Sequence, residues 1–109
     1  MGGWRVELSD EIAAWYATLD VRGLAQADRA LDRLRDQGPA LRMPHSKPLD
    51  DGLLELRFTC RDHVRRITYY FGSERAAITL TTFAKQKQNE RQEVRRARNL
   101  MWKLRGRSK

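Results

Sequence analysis

Apolar and polar residues alternate at the start of the chain. Trp4, Val6 and Leu8 fall on one side of an extended segment and Arg5 and Glu7 on the other, which predicts a strand over residues 4–8. The period then changes. Ile12, Trp15, Tyr16 and Leu19 recur at helical spacing behind Ser9 and Asp10, either of which can cap a helix with acids in its first turn. A second helix is predicted over 24–37, where Leu24, Ala27, Leu31 and Leu34 form a stripe, with Gly23 before it as a weak break or a tolerated kink. Asp28, Arg29, Asp32, Arg33, Arg35 and Asp36 fill the rest of that helix as mixed charge, and Gly38-Pro39 ends it. Residues 38–52 hold Pro39, Pro44 and Pro48 and close on Asp51-Gly52, so they read as a loop. Strands are predicted over 53–59, 64–71 and 76–83, and the short polar turns between them suggest consecutive hairpins. A last helix starts near Asn89, with Gln92 three residues on as in a capping box, and carries Val94, Ala97, Met101 and Leu104 as its apolar stripe.

The order β-α-α-β-β-β-α predicts an α+β domain spanning residues 1–109, with a mainly antiparallel four-stranded sheet and helices packed on one face. Side chains alternate across a sheet with a period of two. Leu54, Leu56 and Phe58 then share the core face with Ile67, Tyr69 and Phe71, and with Ile78 and Leu80. The other face gathers Glu55, Arg57, Arg66, Tyr70 and Phe83, and Lys85 and Lys87 continue it if the chain stays extended. Cations interleaved with aromatic rings suit single-stranded nucleic acid, the cations taking phosphates and the rings stacking on bases. An antiparallel sheet can equally leave such a face in water with no role at all.

Charge sharpens the picture. The 109 residues carry a net charge of +8, which points to a polyanionic partner. Residues 1–50 hold seven Lys/Arg against eight Asp/Glu, whereas residues 85–109 hold ten against two, a net of +8. The excess therefore sits in the last quarter, where Arg91, Arg95, Arg98 and Arg105 either bind a polyanion, solubilise an exposed face or meet acids of the N-terminal helices. Cys60 is the single cysteine, which excludes an internal disulfide and a cysteine-rich zinc site. No apolar run reaches the ~20 residues of a membrane span. With no signal-peptide core either, a cytoplasmic protein without membrane contact is expected. There is no phosphate-binding glycine loop, dinucleotide fingerprint or HExxH sequence, and two isolated histidines, His45 and His63, make no metal site, so neither cofactor nor metal is expected. His45 lies in the proline-bounded loop, where it can assist proton transfer or simply face solvent.

Lys47-Pro-Leu-Asp-Asp-Gly-Leu-Leu-Glu-Leu-Arg57, Arg66-Ile-Thr-Tyr-Tyr70 and Leu80-Thr-Thr-Phe-Ala-Lys-Gln-Lys87, followed by the helix from Asn89, occur in an order and spacing that resemble the toxins of the RelE/ParE superfamily, in particular its phage-derived, HigB-like branch. That resemblance covers nearly the whole chain. It implies the toxin of a type II toxin–antitoxin pair, acting as a ribosome-dependent, metal-independent endoribonuclease on messenger RNA. The RNA 2′-hydroxyl would attack the adjacent phosphate. It further implies a cognate antitoxin, commonly a helix-turn-helix DNA-binding protein, through which alone the toxin would reach operator DNA. By the same resemblance Arg57 and Arg66 match basic positions that act as phosphate or transition-state ligands. Lys85 and Lys87 match the basic segment after the last strand, one as acid and one holding RNA, and Lys47 matches the basic position before the sheet. Glu55 has the parity of a base or of an ion-pair partner for Arg57, Phe83 and Tyr70 that of stacking rings, and Arg91 and Arg95 of the basic last helix are expected to contact RNA. No tyrosine follows Tyr70, and Phe83, Ala84 and Gln86 stand where many RelE-like toxins carry a tyrosine or histidine, which leaves open a ParE-like outcome in which DNA gyrase is inhibited without RNA cleavage. A basic nucleic-acid-binding module without catalysis is the third class.

Overall fold

The structure, a computed structural model, describes residues 3–86 and 88–107. Its elements are β1 (Arg5–Glu7), α1 (Asp10–Tyr16), α2 (Val21–Gln37), a 3-10 turn (Gly38–Ala40), β2 (Ser46–Pro48), β3 (Leu54–Cys60), β4 (His63–Phe71), β5 (Ala76–Ala84) and α3 (Glu90–Arg107). The five strands form one mixed sheet in the order β1-β5-β4-β3-β2. β1 runs parallel to β5, and the other pairs are antiparallel.

The α+β order and the three hairpin strands stand as expected, and the local chemistry explains them. Ser9 caps α1, its Oγ accepting from the amide of Ile12, and Asp20 caps α2 by accepting from Gly23 at 2.8 Å. Gly23 is therefore no break: it lies in the first turn of α2, where a Cβ would come within 3.0 Å of the Arg61 side chain. The β3–β4 turn is two residues long, Arg61-Asp62, both at positive φ, which is the backbone that lets two strands twist together across a tight turn. Gly38 closes α2 at φ +52, and any Cβ there would strike the Trp4 indole.

Three details differ from the sequence pattern. First, the proline-containing loop supplies a fifth strand. β2 is only three residues long, but the Ser46 hydroxyl meets the Tyr69 hydroxyl at 2.5 Å in a fully buried contact, and the Arg57 amide donates to the His45 carbonyl. Burial pushes the Tyr69 hydroxyl above its ordinary pKa, although the Ser46 contact works the other way.

Second, the helices occupy both faces. Ile12 of α1 and Ala30, Leu31 and Leu34 of α2 pack on Leu56, Ile67, Tyr69 and Ala77. Ala97 and Met101 of α3 pack on the opposite side against Leu53, Tyr70 and Leu80, with Ile78 and Val94 alongside. Ile78 and Leu80 thus belong to a second core and not to the one with Ile67. Burying a side chain such as Met101 or Leu80 contributes about 1.5–3 kcal/mol, so this second core anchors α3 to the sheet.

Third, β5 bulges. Ile67 pairs with Thr82 and Tyr69 with Thr79, so Leu80 and Thr81 together oppose Thr68. The Thr68 hydroxyl accepts from the Thr81 amide at 3.0 Å and contacts the Thr81 hydroxyl at 2.6 Å, which satisfies the groups the bulge frees. The extra residue places Leu80 and Phe83 on the same face, although simple alternation separates them.

Charge also fastens α3. Arg96 donates twice to the Glu11 carboxylate of α1, at 2.5 and 2.9 Å, and Glu11 accepts in addition from the Thr82 amide. Burial alone would raise the Glu11 pKa, but the Arg96 and Thr82 hydrogen bonds outweigh it and hold the carboxyl below the usual value of 4.5. A depressed folded-state pKa adds stability that is present above the unfolded value and is lost as pH falls through the folded one. Glu11→Gln is therefore expected to destabilise the fold at pH 7, by about 1 kcal/mol or less for so exposed a pair. Stability of the parent protein measured by thermal melts should fall toward that of the variant below pH 4.5.

Candidate functional site

Register builds the site. Lys47, Glu55 and Thr68 lie side by side on β2, β3 and β4, and the next rung is Arg57, Arg66 and Phe83 on β3, β4 and β5. Partners directly opposite in antiparallel strands share a face, so all six point to the α3 side. The first residue of α3, Glu90, reaches back over them.

At the centre, Glu55 is 2% exposed and Arg66 4%. Arg66 Nη1 donates to Glu55 Oε1 at 2.5 Å and to Glu90 Oε1 at 3.3 Å. Arg57 Nε lies 3.5 Å from the same Glu55 oxygen. Glu55 thus sits between two guanidiniums, which offsets the cost of burying a carboxylate. The other Glu90 oxygen accepts from the Gln86 amide, so the segment between β5 and α3 is tied to the same cluster. Among the described residues, the buried Arg66 Nε has no hydrogen-bond partner.

The expected site residues do not share one surface. Glu55, Arg57 and Arg66 do come together, but as a buried ion-pair cluster in which only the Arg57 side chain, 24% exposed, reaches the rim. Lys47 and Lys85 are exposed at the two ends, and the Lys85 amide extends the β4–β5 pairing by donating to Val64 at 2.8 Å. Lys87 lies outside the described residues. Tyr70 and Phe83 are 5% and 4% exposed, so neither ring is open for stacking on a base: Tyr70 is part of the α3 core, and Phe83 is covered beside Arg66. Burial pushes the Tyr70 hydroxyl pKa up. The face read from the sequence as open is thus roofed by α3, because alternation within a strand cannot reveal which face a later helix covers.

Arg91 and Arg95 are exposed on α3, and among the described residues they form no ion pair. Two other α3 arginines are structural. Arg98 lies 3.6 Å from Asp50 and 3.7 Å from Asp51, and Arg105 donates to the Asp51 carbonyl at 3.1 Å.

Sequence reasoning missed one feature. Where β2 ends, β3 runs on uncovered, and a cleft of about 600 Å³ opens between it and α2, lined by Arg29, Arg33, His45 and Arg57 together with Phe58 and Val64. The available signal was Arg29 and Arg33, four residues apart and therefore on one helical face. Among the described residues no Asp or Glu lines the cleft. Among the described residues no cluster of three or more His, Cys, Asp or Glu is placed to hold a metal ion, and no helix is long and apolar enough to cross a membrane.

A family model described as phage-derived protein, Gp49-like (DUF891), matches residues 14–102, from the middle of α1 to the last turns of α3. The match includes every residue of the ion-pair cluster and of the cleft. No curated protein matches the chain.

Proposed function

The chain belongs to the Gp49-like family of phage-derived proteins, and from that premise we propose that it is the toxin of a type II toxin–antitoxin pair. It acts as a ribosome-dependent endoribonuclease on messenger RNA, in the manner of the HigB-like branch of the RelE/ParE superfamily. Its partners in this reading are the ribosome with its message and a cognate helix-turn-helix antitoxin that neutralises it and links it to operator DNA. The observation that carries the proposal is the Glu55–Arg66 pair, which fixes the Arg57 guanidinium at the rim of a cationic face between Lys47 and Lys85.

The proposed reaction is an internal transesterification. The RNA 2′-oxygen attacks the adjacent phosphorus as its proton leaves, and the P–O5′ bond breaks as the 5′-oxygen takes up a proton. The products are a 2′,3′-cyclic phosphate and a 5′-hydroxyl. Arg57 stabilises the doubly charged phosphorane, which carries more charge than the diester and so gains more from a fixed cation. In this reading Lys47 and Lys85 hold the flanking phosphates, and Lys85 protonates the leaving oxygen. Proton removal falls to a group at the same rim, and His45 lines the cleft that Arg57 also lines. Arg66 is engaged by two carboxylates and acts as a positioning residue, and Glu55, held between two arginines, orients Arg57 in place of serving as a base.

Induced expression in a bacterial host is the direct test. The expected outcome is growth arrest with collapse of protein synthesis, prevented by co-expression of the antitoxin encoded beside it. Arrest with ongoing translation, DNA breaks and an SOS response would replace the nuclease with a gyrase inhibitor. Absence of arrest together with salt-sensitive binding to many nucleic acids would leave a binding module.

A further inference from the structure

Arg29 and Arg33 stand one turn apart on α2 and face the cleft at the open end of β3. Among the described residues neither makes an ion pair, although Asp28, Asp32 and Asp36 share the helix: Asp32 pairs with Arg35 and Asp28 takes the Tyr16 hydroxyl. Like charges four residues apart repel across one turn, and an anion bound between them relieves that cost. His45 is held beside them by its backbone, its amide donating to Arg42 and its carbonyl accepting from Arg57. Phe58 and Val64 supply an apolar floor, and Val64 is 41% exposed. The volume, about 600 Å³, lies in the range of pockets that hold a drug-sized ligand.

We propose that this cleft is a nucleotide subsite for single-stranded RNA, with Arg29 and Arg33 binding a phosphate and Phe58 and Val64 receiving the attached base. The inference rests on the ribonuclease reading and deepens it. Arg57 borders both the buried cluster and the cleft, so a strand crossing Arg57 continues around the β3 edge onto α2. The strand is then held on both sides of the reacting phosphate, which fixes its line of attack. RNA is favoured over an acidic peptide because the cleft combines arginines for a phosphate with apolar side chains, Phe58 and Val64, that suit a base.

The test uses a 2′-O-methyl hexaribonucleotide, which cannot be cleaved, so binding is read apart from catalysis. NMR shift changes on titration should include Arg29, Arg33, His45 and Phe58. The variant Arg29→Ala/Arg33→Ala should bind at least tenfold more weakly. Its slope of log affinity against log salt should be shallower by about 0.7, from one lost phosphate contact. Unchanged affinity and slope, or shift changes confined to α3, would overturn the proposal. So would equal competition by hexaglutamate, which would make the site one for an acidic protein segment. A protein that binds the oligonucleotide through the cleft yet cuts no message keeps this inference and loses the nuclease. One that cuts messages and is indifferent to the double substitution does the reverse.

Discussion

Arg66→Ala is expected to cost the protein about 3–5 kcal/mol, because it leaves the buried Glu55 carboxylate with one distant partner in place of two. A domain of this size has about 5–15 kcal/mol in total, so the variant stands near the limit of folding. At roughly 4 °C per kcal/mol the melting temperature drops by about 12–20 °C. The cause is the stranded charge and not the loss of an arginine as such. Arg66→Met combined with Glu55→Leu removes both buried charges and fills the space, and should recover most of that loss. The double variant should nevertheless fail to arrest growth, since Arg57 then has no carboxylate to aim it. A double variant as unstable as Arg66→Ala would show that the pair is not the source of the cost. Thermal melts of the three proteins decide this.

Arg57→Ala should behave in the opposite way. Its side chain is partly exposed and its loss leaves Glu55 paired with Arg66 at 2.5 Å, so the fold should change little. Removing one fixed donor to a developing oxyanion costs about 100-fold or more in rate. RNA cleavage should therefore fall by that factor, and growth arrest should disappear at equal expression. Arg57→Lys should recover only part, because an ammonium on a flexible stem lacks the planar fork that meets two phosphate oxygens at once. Full toxicity of Arg57→Ala, in cells where the protein accumulates normally, would remove Arg57 from the chemistry.

These two arginines also show what the sequence could and could not reveal. Alternation placed Glu55, Arg57 and Arg66 on one face, and the hairpin register brings them together as that parity requires. The same reasoning failed at Ile78 and Leu80, which it set on the core face with Ile67, opposite Phe83. The bulge at Leu80-Thr81 inserts one residue, and a period of two has no memory across an insertion. β2 escaped notice because a three-residue strand containing Pro48 carries too little pattern, and a long-range contact, Ser46 to Tyr69, helps hold it in place. The position of α3 was hidden for a related reason. Tyr70, Ile78 and Leu80 announce an apolar surface, but nothing local says that it is a second core and not part of the first. The cleft was masked by the mixed charge of α2. Only packing separates Arg29 and Arg33, which face β3, from Arg35, which pairs with Asp32. In each case local order was written in neighbouring residues, whereas the missing information lay in contacts between residues distant in the chain.

The most direct measurement is genome-wide mapping of RNA 5′ ends shortly after induction, beside the Arg57→Ala protein at equal expression. The expected result is a set of new 5′-hydroxyl ends inside translated regions, in fixed phase with the codons and lost with Arg57. Growth arrest with intact messages, or new ends that ignore the reading frame, would contradict a ribosome-dependent nuclease.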